Sequence, residues 1–461
     1  MQKENKMGVM PVKKLIISMS LPMMVSMLVQ ALYNVVDSIF VSQVCEDALT
    51  AVSLAFPAQN LMIGVATGTG VGINALLSRN LGAKNFEKVN RIAENGLFLA
   101  VMSSIVFLMF GVFGSKLFFD MQIDSSSPIH AYGVDYLSVV CGCSIGLFGQ
   151  VTTERLLQAT GRTTLSMATQ LIGAITNIIL DPIFIFGWGP VPRMEAKGAA
   201  VATVIGQMLA FITGIILNKK FNKEVKFGVK GFRPDGKIIL DIYKIGVPSI
   251  AMVGIGSFMT FCFNKILLSF SSTAAAVFGV YFKLQSFVFM PVFGLNNGVI
   301  PIIAFNYGAK NRERITSSLR FSCLIAVSIM AVGTLLMWIM PETMLRLFDA
   351  SEDMMGIGVP ALRTISLSFI FAGVCINLGA VFQALGKSYF SMIVSFARQI
   401  VVLLPVAYLL SKTGDIDKVW LSFPIAEFMS LMATLICFFY VYKTIISKIP
   451  QKEKQHKNEC E

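Results

Sequence analysis

The chain has 461 residues, of which 55% are hydrophobic and only 14% are charged, and its formal net charge is +12. An ordinary soluble domain has about 25% charged residues, so a soluble fold of this length would lack the polar side chains to cover its surface. The composition is typical of a polytopic membrane protein. The positive charge does not indicate nucleic-acid binding, because the basic residues stand in short segments between long apolar runs.

Twelve apolar runs are each long enough to cross a bilayer, which takes about 20 residues of helix. The sequence therefore predicts an all-α polytopic membrane protein with twelve transmembrane helices. In chain order, the predicted helices cover residues 15–42, 48–77, 92–114, 132–154, 163–187, 198–218, 238–268, 274–304, 316–340, 358–384, 388–411 and 418–445.

The distribution of Lys and Arg supports both the helix count and an orientation. If the N-terminus is cytoplasmic, the tails and the loops on that side hold 27 of the 38 Lys and Arg residues, and the opposite loops hold six. Cytoplasmic loops are enriched in these two residues. We therefore expect a multi-pass protein of the inner (plasma) membrane with both termini in the cytoplasm.

A short motif occurs twice. NLGAKNFEKV begins at Asn80, and NYGAKNRERI begins at Asn306, 226 positions later. At nearly the same offset, LQATGRTTLSM (157–167) corresponds to FQALGKSYFSM (382–392). Six helices separate the copies, and because six is even, both halves enter the membrane in the same direction. The sequence therefore predicts two six-helix bundles related by a parallel internal repeat.

The longest basic segment lies midway along the chain and contains no apolar run that could span. It predicts an N-terminal lobe over 1–217, a cytoplasmic linker over 218–237, and a C-terminal lobe with a basic tail over 238–461. Two bundles that face each other across a cleft suit alternating access, in which a central cavity opens first to one side and then to the other.

Two acidic residues lie deep in apolar runs, where an ionised Asp costs about 2.5–3.5 kcal/mol. Asp37 is in the first predicted helix, and Asp181 is in the fifth, four residues after Asn177 and therefore on the same helix face. Pro182 cannot donate a hydrogen bond and leaves the carbonyl of Ile178 free. Such a cluster could bind a proton, because burial and a second carboxylate disfavour the charged form of a carboxyl group, or its oxygens could hold Na⁺.

Several stretches together resemble the multidrug and toxic compound extrusion (MATE) transporters. They are Pro22 and Asp37 in the first helix, GVATGTGVGINALLSRNLGAKN in the second, LQATGR before the fifth, NIILDP in the fifth and GAAVATVIGQ in the sixth. The resemblance covers nearly the whole chain. It implies twelve helices in two lobes and the ion-coupled export of amphipathic, mostly cationic organic compounds, with multidrug efflux and antibiotic resistance as the expected role.

The resemblance extends to one branch of this family. Another branch has carboxylates in the seventh and tenth helices, where this chain reads FMTFCFNKILL and SLSFIFAGVCINLGAVF without an acid. The branch of bacterial DNA-damage-inducible and multidrug exporters has an Asp in helix one and an Asn and Asp in helix five, which Asp37, Asn177 and Asp181 match. For the hydroxyl expected in helix six, Thr203 is the candidate and Ala199 is the alternative.

The resemblance also implies that ion loading bends the first helix around Pro22 and ejects the substrate. Pro22, its repeat counterpart Pro248, and Pro182 are the candidate hinges.

The 26 Met and 37 Phe residues suit a pocket that accepts many shapes, since thioethers are flexible and aromatic faces attract organic cations. The predicted substrate-cavity residues are Tyr33, Met62, Gln285, Phe289, Met290, Asn296 and Asn297.

Other charged residues fall within or beside the helices. Glu154 and Arg155 are expected to reach the interface from the end of the fourth helix. Glu427 is expected to pair with Lys265, Lys283 or Arg398, and contact with an anionic group is the alternative for these cations.

The function predicted from the sequence is therefore cation-coupled antiport, driven by H⁺ or Na⁺, of organic cations and drugs. The alternative is a flippase for lipid-linked or anionic amphipathic substrates. An enzyme is disfavoured, because the chain has no Asp-rich metal motif, buried His cluster or P-loop. We expect no cofactor, no metal except Na⁺ at the coupling site, no nucleic-acid partner, and function as a monomer in the lipid bilayer.

Overall fold

The computed structural model describes residues 5–44, 46–188, 192–226, 232–348 and 350–450. Within these ranges, ten helices are long and apolar enough to cross a membrane, and two further pairs of helices each do so if a bent pair counts as one span. Counted in this way, the chain has the twelve predicted helices, and the all-α fold prediction is confirmed.

We number the helices in chain order. They are α1 Val12–Ser42, α2 Glu46–Gly82, α3 Phe86–Asp120, α4 Pro128–Gly142 with Ile145–Ala159, α5 Thr163–Phe186, α6 Glu195–Phe221, α7 Gly236–Leu268, α8 Ser272–Gly308, α9 Arg312–Ile339, α10 Glu352–Ser366 with Phe369–Ala384, α11 Ser388–Ser411 and α12 Ile416–Ile446.

The positions of the bends in α4 and α10 were not predicted, since both stretches read as single apolar runs. The two parts of α4 meet at 43° and those of α10 at 48°. At the α10 break, the hydroxyls of Ser366 and Ser368 donate to the carbonyls of Arg363 and Ile365, at 3.1 and 2.6 Å. Such side-chain bonds compete with the regular helical ladder and favour a bend.

Helices α2 and α8 are the central helices of the molecule. Their most apolar segments are 72% and 67% buried, whereas the other unbroken spans are only 22–39% buried. The weakly buried helices expose large apolar side chains such as Val106, Phe113 and Ile436. An outer surface with large exposed apolar side chains is stable in contact with lipid tails rather than water, as the composition predicted.

The repeated motif forms the same turn in both halves, between α2 and α3 and again between α8 and α9. Lys84 and Lys310 both adopt left-handed backbone, with φ of 59° and 53°. The next residue caps the following helix each time: Asn85 accepts from the Lys88 N–H at 3.1 Å, and Asn311 accepts from the Arg314 N–H at 3.2 Å. The repeat in sequence is therefore a repeat in backbone geometry.

The two turns also pack against each other. A Cβ added at Gly82 would lie 1.9 Å from the carbonyl oxygen of Phe305, and one added at Gly308 would lie 1.8 Å from that of Arg79. Since 305 and 79 differ by the repeat offset, the contact is reciprocal, and the two copies meet near a pseudo-two-fold axis. Only glycine allows backbones to approach this closely.

The same symmetry governs the packing of α7 on α2 and of α1 on α8. Gly68 of α2 faces Ile250 of α7, and Gly294 of α8 faces Met24 of α1, with the repeat offset of 226 relating each pair. The Ser20 hydroxyl of α1 also donates to the carbonyl of Leu295 at 3.2 Å. The first two helices of each half thus hold the two halves together.

The boundaries of the predicted lobes remain a prediction. Residues 227–231, within the predicted linker, lie outside the described part of the chain. Helix α6 continues to Phe221 and α7 begins at Gly236, so the helices extend into both ends of the predicted 218–237 linker.

We expect Gly308→Ala to destabilise the protein. Its methyl group would overlap the Arg79 carbonyl, and overpacking of this kind costs about 1–3 kcal/mol. Thermal unfolding in detergent should show a lower Tm than in the wild type.

The matched control is Gly254→Ala in α7, where an added Cβ has no heavy atom within 4 Å. This variant should unfold at the wild-type temperature or slightly above it, since Ala favours helix over Gly. Equal Tm values for Gly308→Ala and the wild type would contradict the reciprocal contact.

Candidate functional site

A polar cluster lies between α1, α5 and α6, inside the first half of the chain. Asp181 and Asn177 of α5 are 0% and 3% exposed, and Thr203 of α6 is 4% exposed. The Asn177 amide nitrogen lies 3.2 Å from Asp181 Oδ1 and 3.2 Å from Thr203 Oγ1. The four-residue spacing in α5 therefore places Asn177 and Asp181 on one face, as the sequence predicted.

Asp37 completes this cluster from α1. Its carboxyl group lies within hydrogen-bonding reach of the Asp181 carboxyl group. The two acids are 144 positions apart in the chain, and the packing of α1 against α5 brings them together.

Three oxygen atoms of the cluster are buried without a hydrogen-bond partner. They are Asp37 Oδ1, Asn177 Oδ1 and Asp181 Oδ2. Buried polar atoms are nearly always paired, because an unpaired one costs about 1–3 kcal/mol. Three in one cluster indicate a site whose oxygens have free lone pairs for a further cation or proton.

No basic side chain in the described part of the chain forms an ion pair with either acid. Two adjacent carboxyl groups in an apolar environment repel each other when both are charged. Binding of a cation or a proton removes that repulsion. The cluster can therefore exchange one positive charge with its surroundings.

Of the two helix-six candidates, Thr203 lies in the cluster and accepts from the Asn177 amide, whereas Ala199 is packed among apolar side chains. Two further aromatic residues surround the acids. Tyr33 of α1 lies within hydrogen-bonding reach of Thr203, and the buried Tyr136 of α4 donates to Gln59 of α2 at 3.5 Å. Tyr136 and Gln59 were not predicted, because their sequence contexts do not distinguish them from other polar residues in apolar runs.

The three candidate hinge prolines lie inside unbroken helices. Pro22 is in α1, Pro182 in α5 and Pro248 in α7. Pro22 lies between Ser20 and Met24, both of which face α8, and it precedes the segment of α1 that carries Tyr33 and Asp37. A proline at this point removes a helical hydrogen bond, so the two segments can bend relative to each other.

A large cavity of about 1080 Å³ lies mainly in the second half. It is lined by α7, α8, α10, α11 and α12, with part of α2 as the wall on the side of the first half. Five of the predicted substrate-cavity residues line it, namely Gln285, Phe289, Met290, Asn296 and Asn297.

The other two predicted cavity residues do not line this cavity. Met62 is 1% exposed and is packed in the apolar core of the first half. Tyr33 lies at the acidic cluster instead. Helix periodicity could not show which face of α1 or α2 meets the cavity, because both helices are apolar around most of their circumference.

Glu154 and Arg155 do not reach the interface, contrary to the prediction. Both are buried. The Glu154 carboxylate accepts bonds from Gln150 and Gln170, at 2.9 and 2.8 Å, and Arg155 donates to Asn297 of α8 at 2.8 Å. Arg155 therefore links the first half to the wall of the cavity, which only tertiary packing could reveal.

Glu427 of α12 pairs with Arg398 of α11, and both line the cavity. Lys265 and Lys283, the other predicted partners, instead lie over the rings of Phe261 and Phe348.

The chain is similar over most of its length to known transporters. The multidrug export protein MepA of Staphylococcus haemolyticus (strain JCSC1435) is 26% identical over 434 residues, which are 93% of this chain and 93% of that protein. MepA of Staphylococcus aureus (strain MSSA476) is 26% identical over 429 residues, 92% of this chain and 93% of that protein.

A solved structure has the same fold. It is described as the outward-facing conformation of a multidrug resistance MATE family transporter, and it aligns with a TM-score of 0.89 at 24% identity, over 97% of this chain and 98% of the other.

The family comparison covers both halves. A profile described as MatE matches residues 22–183 and again residues 248–409, and the starts of the two matches differ by the 226 residues of the internal repeat. The chain therefore belongs to the MatE family of membrane transporters and is not an enzyme.

Proposed function

We propose that this protein is a cation-coupled antiporter that exports amphipathic, mostly cationic organic compounds. The observation that carries the proposal is the cluster of buried, unpartnered oxygens on Asp37, Asn177 and Asp181. Two acids without a basic partner in a membrane interior suit the binding and release of a monovalent cation.

In this proposal, Asp37 and Asp181 carry the charge, and H⁺ or Na⁺ is the coupling ion. Asn177 orients Asp181, because its amide donates to that carboxylate, and Thr203 accepts from the same amide. The unpartnered oxygens would be the ligands of Na⁺, or one carboxyl group would carry the proton. Inward movement of a positive charge would gain about 2.3 kcal/mol per 100 mV of membrane potential.

Helix α1 would couple the ion to the substrate. It packs on α5 next to the acids and on α8, whose residues Gln285, Phe289 and Asn297 line the cavity. A change in charge at Asp37 would shift the segment of α1 that carries Tyr33 and Asp37, while the segment around Ser20 and Met24 stays against α8. We propose that the lobes over 1–217 and 238–461 move about this contact, with the 218–237 segment as their linker.

The cavity in the second half would bind the exported compound. Aromatic residues such as Phe278, Phe282 and Phe289 line it, together with amides such as Gln285 and Gln383. Aromatic faces attract organic cations, and amides bind polar substituents. The relatives named as multidrug export proteins support drugs as the exported class. We propose the inner (plasma) membrane as the location, with both termini cytoplasmic and a monomer as the functional unit.

Asp37→Asn and Asp181→Asn should each reduce ion-driven export of ethidium from cells by about tenfold or more, since a lost charge-assisted bond of about 1.5–3 kcal/mol weakens binding about ten- to hundredfold. Ethidium efflux measured by fluorescence checks this expectation.

Asp135→Asn is the matched control. Asp135 is also in the first half, but its side chain is 57% exposed and its ion pair with Lys197 is long, at 3.7 Å. This variant should export at the wild-type rate. Wild-type export by both Asp37→Asn and Asp181→Asn would end the coupling proposal.

The coupling ion can be identified in vesicles that contain the purified protein. Either an imposed pH gradient or an imposed sodium gradient should drive dye movement by the wild type. The gradient that drives the wild type should not drive dye movement in vesicles with the Asp37→Asn variant. Dye movement at a rate that depends on neither gradient would contradict antiport. Movement of a labelled lipid instead of the dye would favour the flippase alternative.

A further inference from the structure

The cavity in the second half contains a second polar site, formed by Arg398 of α11 and Glu427 of α12. These two are the only charged residues among the described residues that line the cavity. They lie far along the chain from Asp37 and Asp181, which do not line the cavity. The pair is therefore a feature of the compound-binding cavity and separate from the proposed coupling cluster.

Each member of the pair has unused bonding capacity. Arg398 Nη1 donates to Glu427 Oε1. The Glu427 side chain is 8% exposed, and its other oxygen, Oε2, is buried without a partner. The Arg398 side chain is 31% exposed, and a guanidinium group has five N–H donors.

The local backbone of α11 contributes to this geometry. Over Ala397–Leu403 the helix widens to i→i+5 hydrogen bonding, and this turn includes both Arg398 and the cavity-lining Gln399. Such a turn redirects side chains and is frequent at functional sites.

An aromatic wall lies beside the pair. The ring of Tyr281 is 6.0 Å from that of Phe278 and 6.0 Å from that of Phe423, and all three residues line the cavity. Next to them, the Ser430 hydroxyl donates to the sulfur of Cys375 at 3.7 Å. Phe278 and Tyr281 are buried behind the half-buried Phe282, whose ring is 5.8 Å from that of Tyr281 and lines the cavity. A flat aromatic ligand could pack against Phe282 with its polar groups toward the ion pair.

The charges of the pair select the charge of the ligand. A ligand with only a positive group is attracted by Glu427 but repelled by Arg398. A ligand with only a negative group is attracted by Arg398 but repelled by Glu427. A ligand with both groups satisfies the free oxygen of Glu427 and the free donors of Arg398 together. We propose that Arg398 and Glu427 form a recognition site for zwitterionic aromatic compounds among the exported substrates.

This inference rests on the proposed function, because it treats the cavity as the substrate site. Three dyes with one xanthene scaffold test it. Rhodamine 110 is a zwitterion, rhodamine 123 is its methyl ester and is a cation, and fluorescein is an anion. Their Kd values are measured by fluorescence anisotropy with the purified protein in nanodiscs without an ion gradient.

The wild type should bind rhodamine 110 most tightly. In Arg398→Gln the preference should move to rhodamine 123, and in Glu427→Gln to fluorescein, each by about ten- to hundredfold in the ratio of Kd values. The double variant should bind the three dyes with similar Kd values. Ratios of Kd do not depend on the folded fraction, so partial misfolding of a variant leaves the test valid.

Lys265→Gln is the control, because Lys265 is a cation of the same half that does not line the cavity. It should keep the wild-type order of the dyes. The same order in all variants, or no binding of any dye to the wild type, would overturn the inference. Loss of ion coupling would not alter these equilibrium values, so failure of the antiport proposal is distinguishable from failure of this one.

Discussion

The close approach of helix backbones at glycine is the constraint on which this fold depends. Between helices in lipid there is little hydrophobic driving force, so association relies on tight packing. Gly82 and Gly308 lie against the backbone of the opposite half, and Gly68 and Gly294 accept the first helices of the two halves. These contacts make α2 and α8 the most buried of the unbroken helices, whereas the other unbroken helices expose more of their surface to lipid.

This packing decides where function can reside. Because α1 is held against α8 on one side and α5 on the other, the acid that it carries meets a second acid inside the first half. The same helix reaches the wall of the cavity in the second half. One helix therefore packs both beside the acidic cluster and against a helix that lines the cavity. The bend permitted at Pro22 lies within the α8 contact and before the segment that carries Asp37.

The two polar sites differ in how their charges are balanced. Asp37 and Asp181 have no basic partner in the described chain, which favours the uptake of a positive charge. Arg398 and Glu427 neutralise each other while keeping free bonding groups. The first arrangement suits an ion that binds and is released, and the second suits a ligand that carries both a positive and a negative group. A transporter that separates these tasks can change its substrates without changing its coupling ion.

The sequence alone determined the helix count, the repeat and the acids, because these depend on local features: apolar length, a recurring turn motif and charge in an apolar run. Asn177 and Asp181 share a helix face through their spacing, which is also local. Tertiary structure alone decided that Met62 is packed in the apolar core, that Arg155 reaches Asn297, and that Glu427 forms its ion pair with Arg398. The physical reason is that a helix apolar on all sides does not encode which face meets a neighbour, a cavity or lipid.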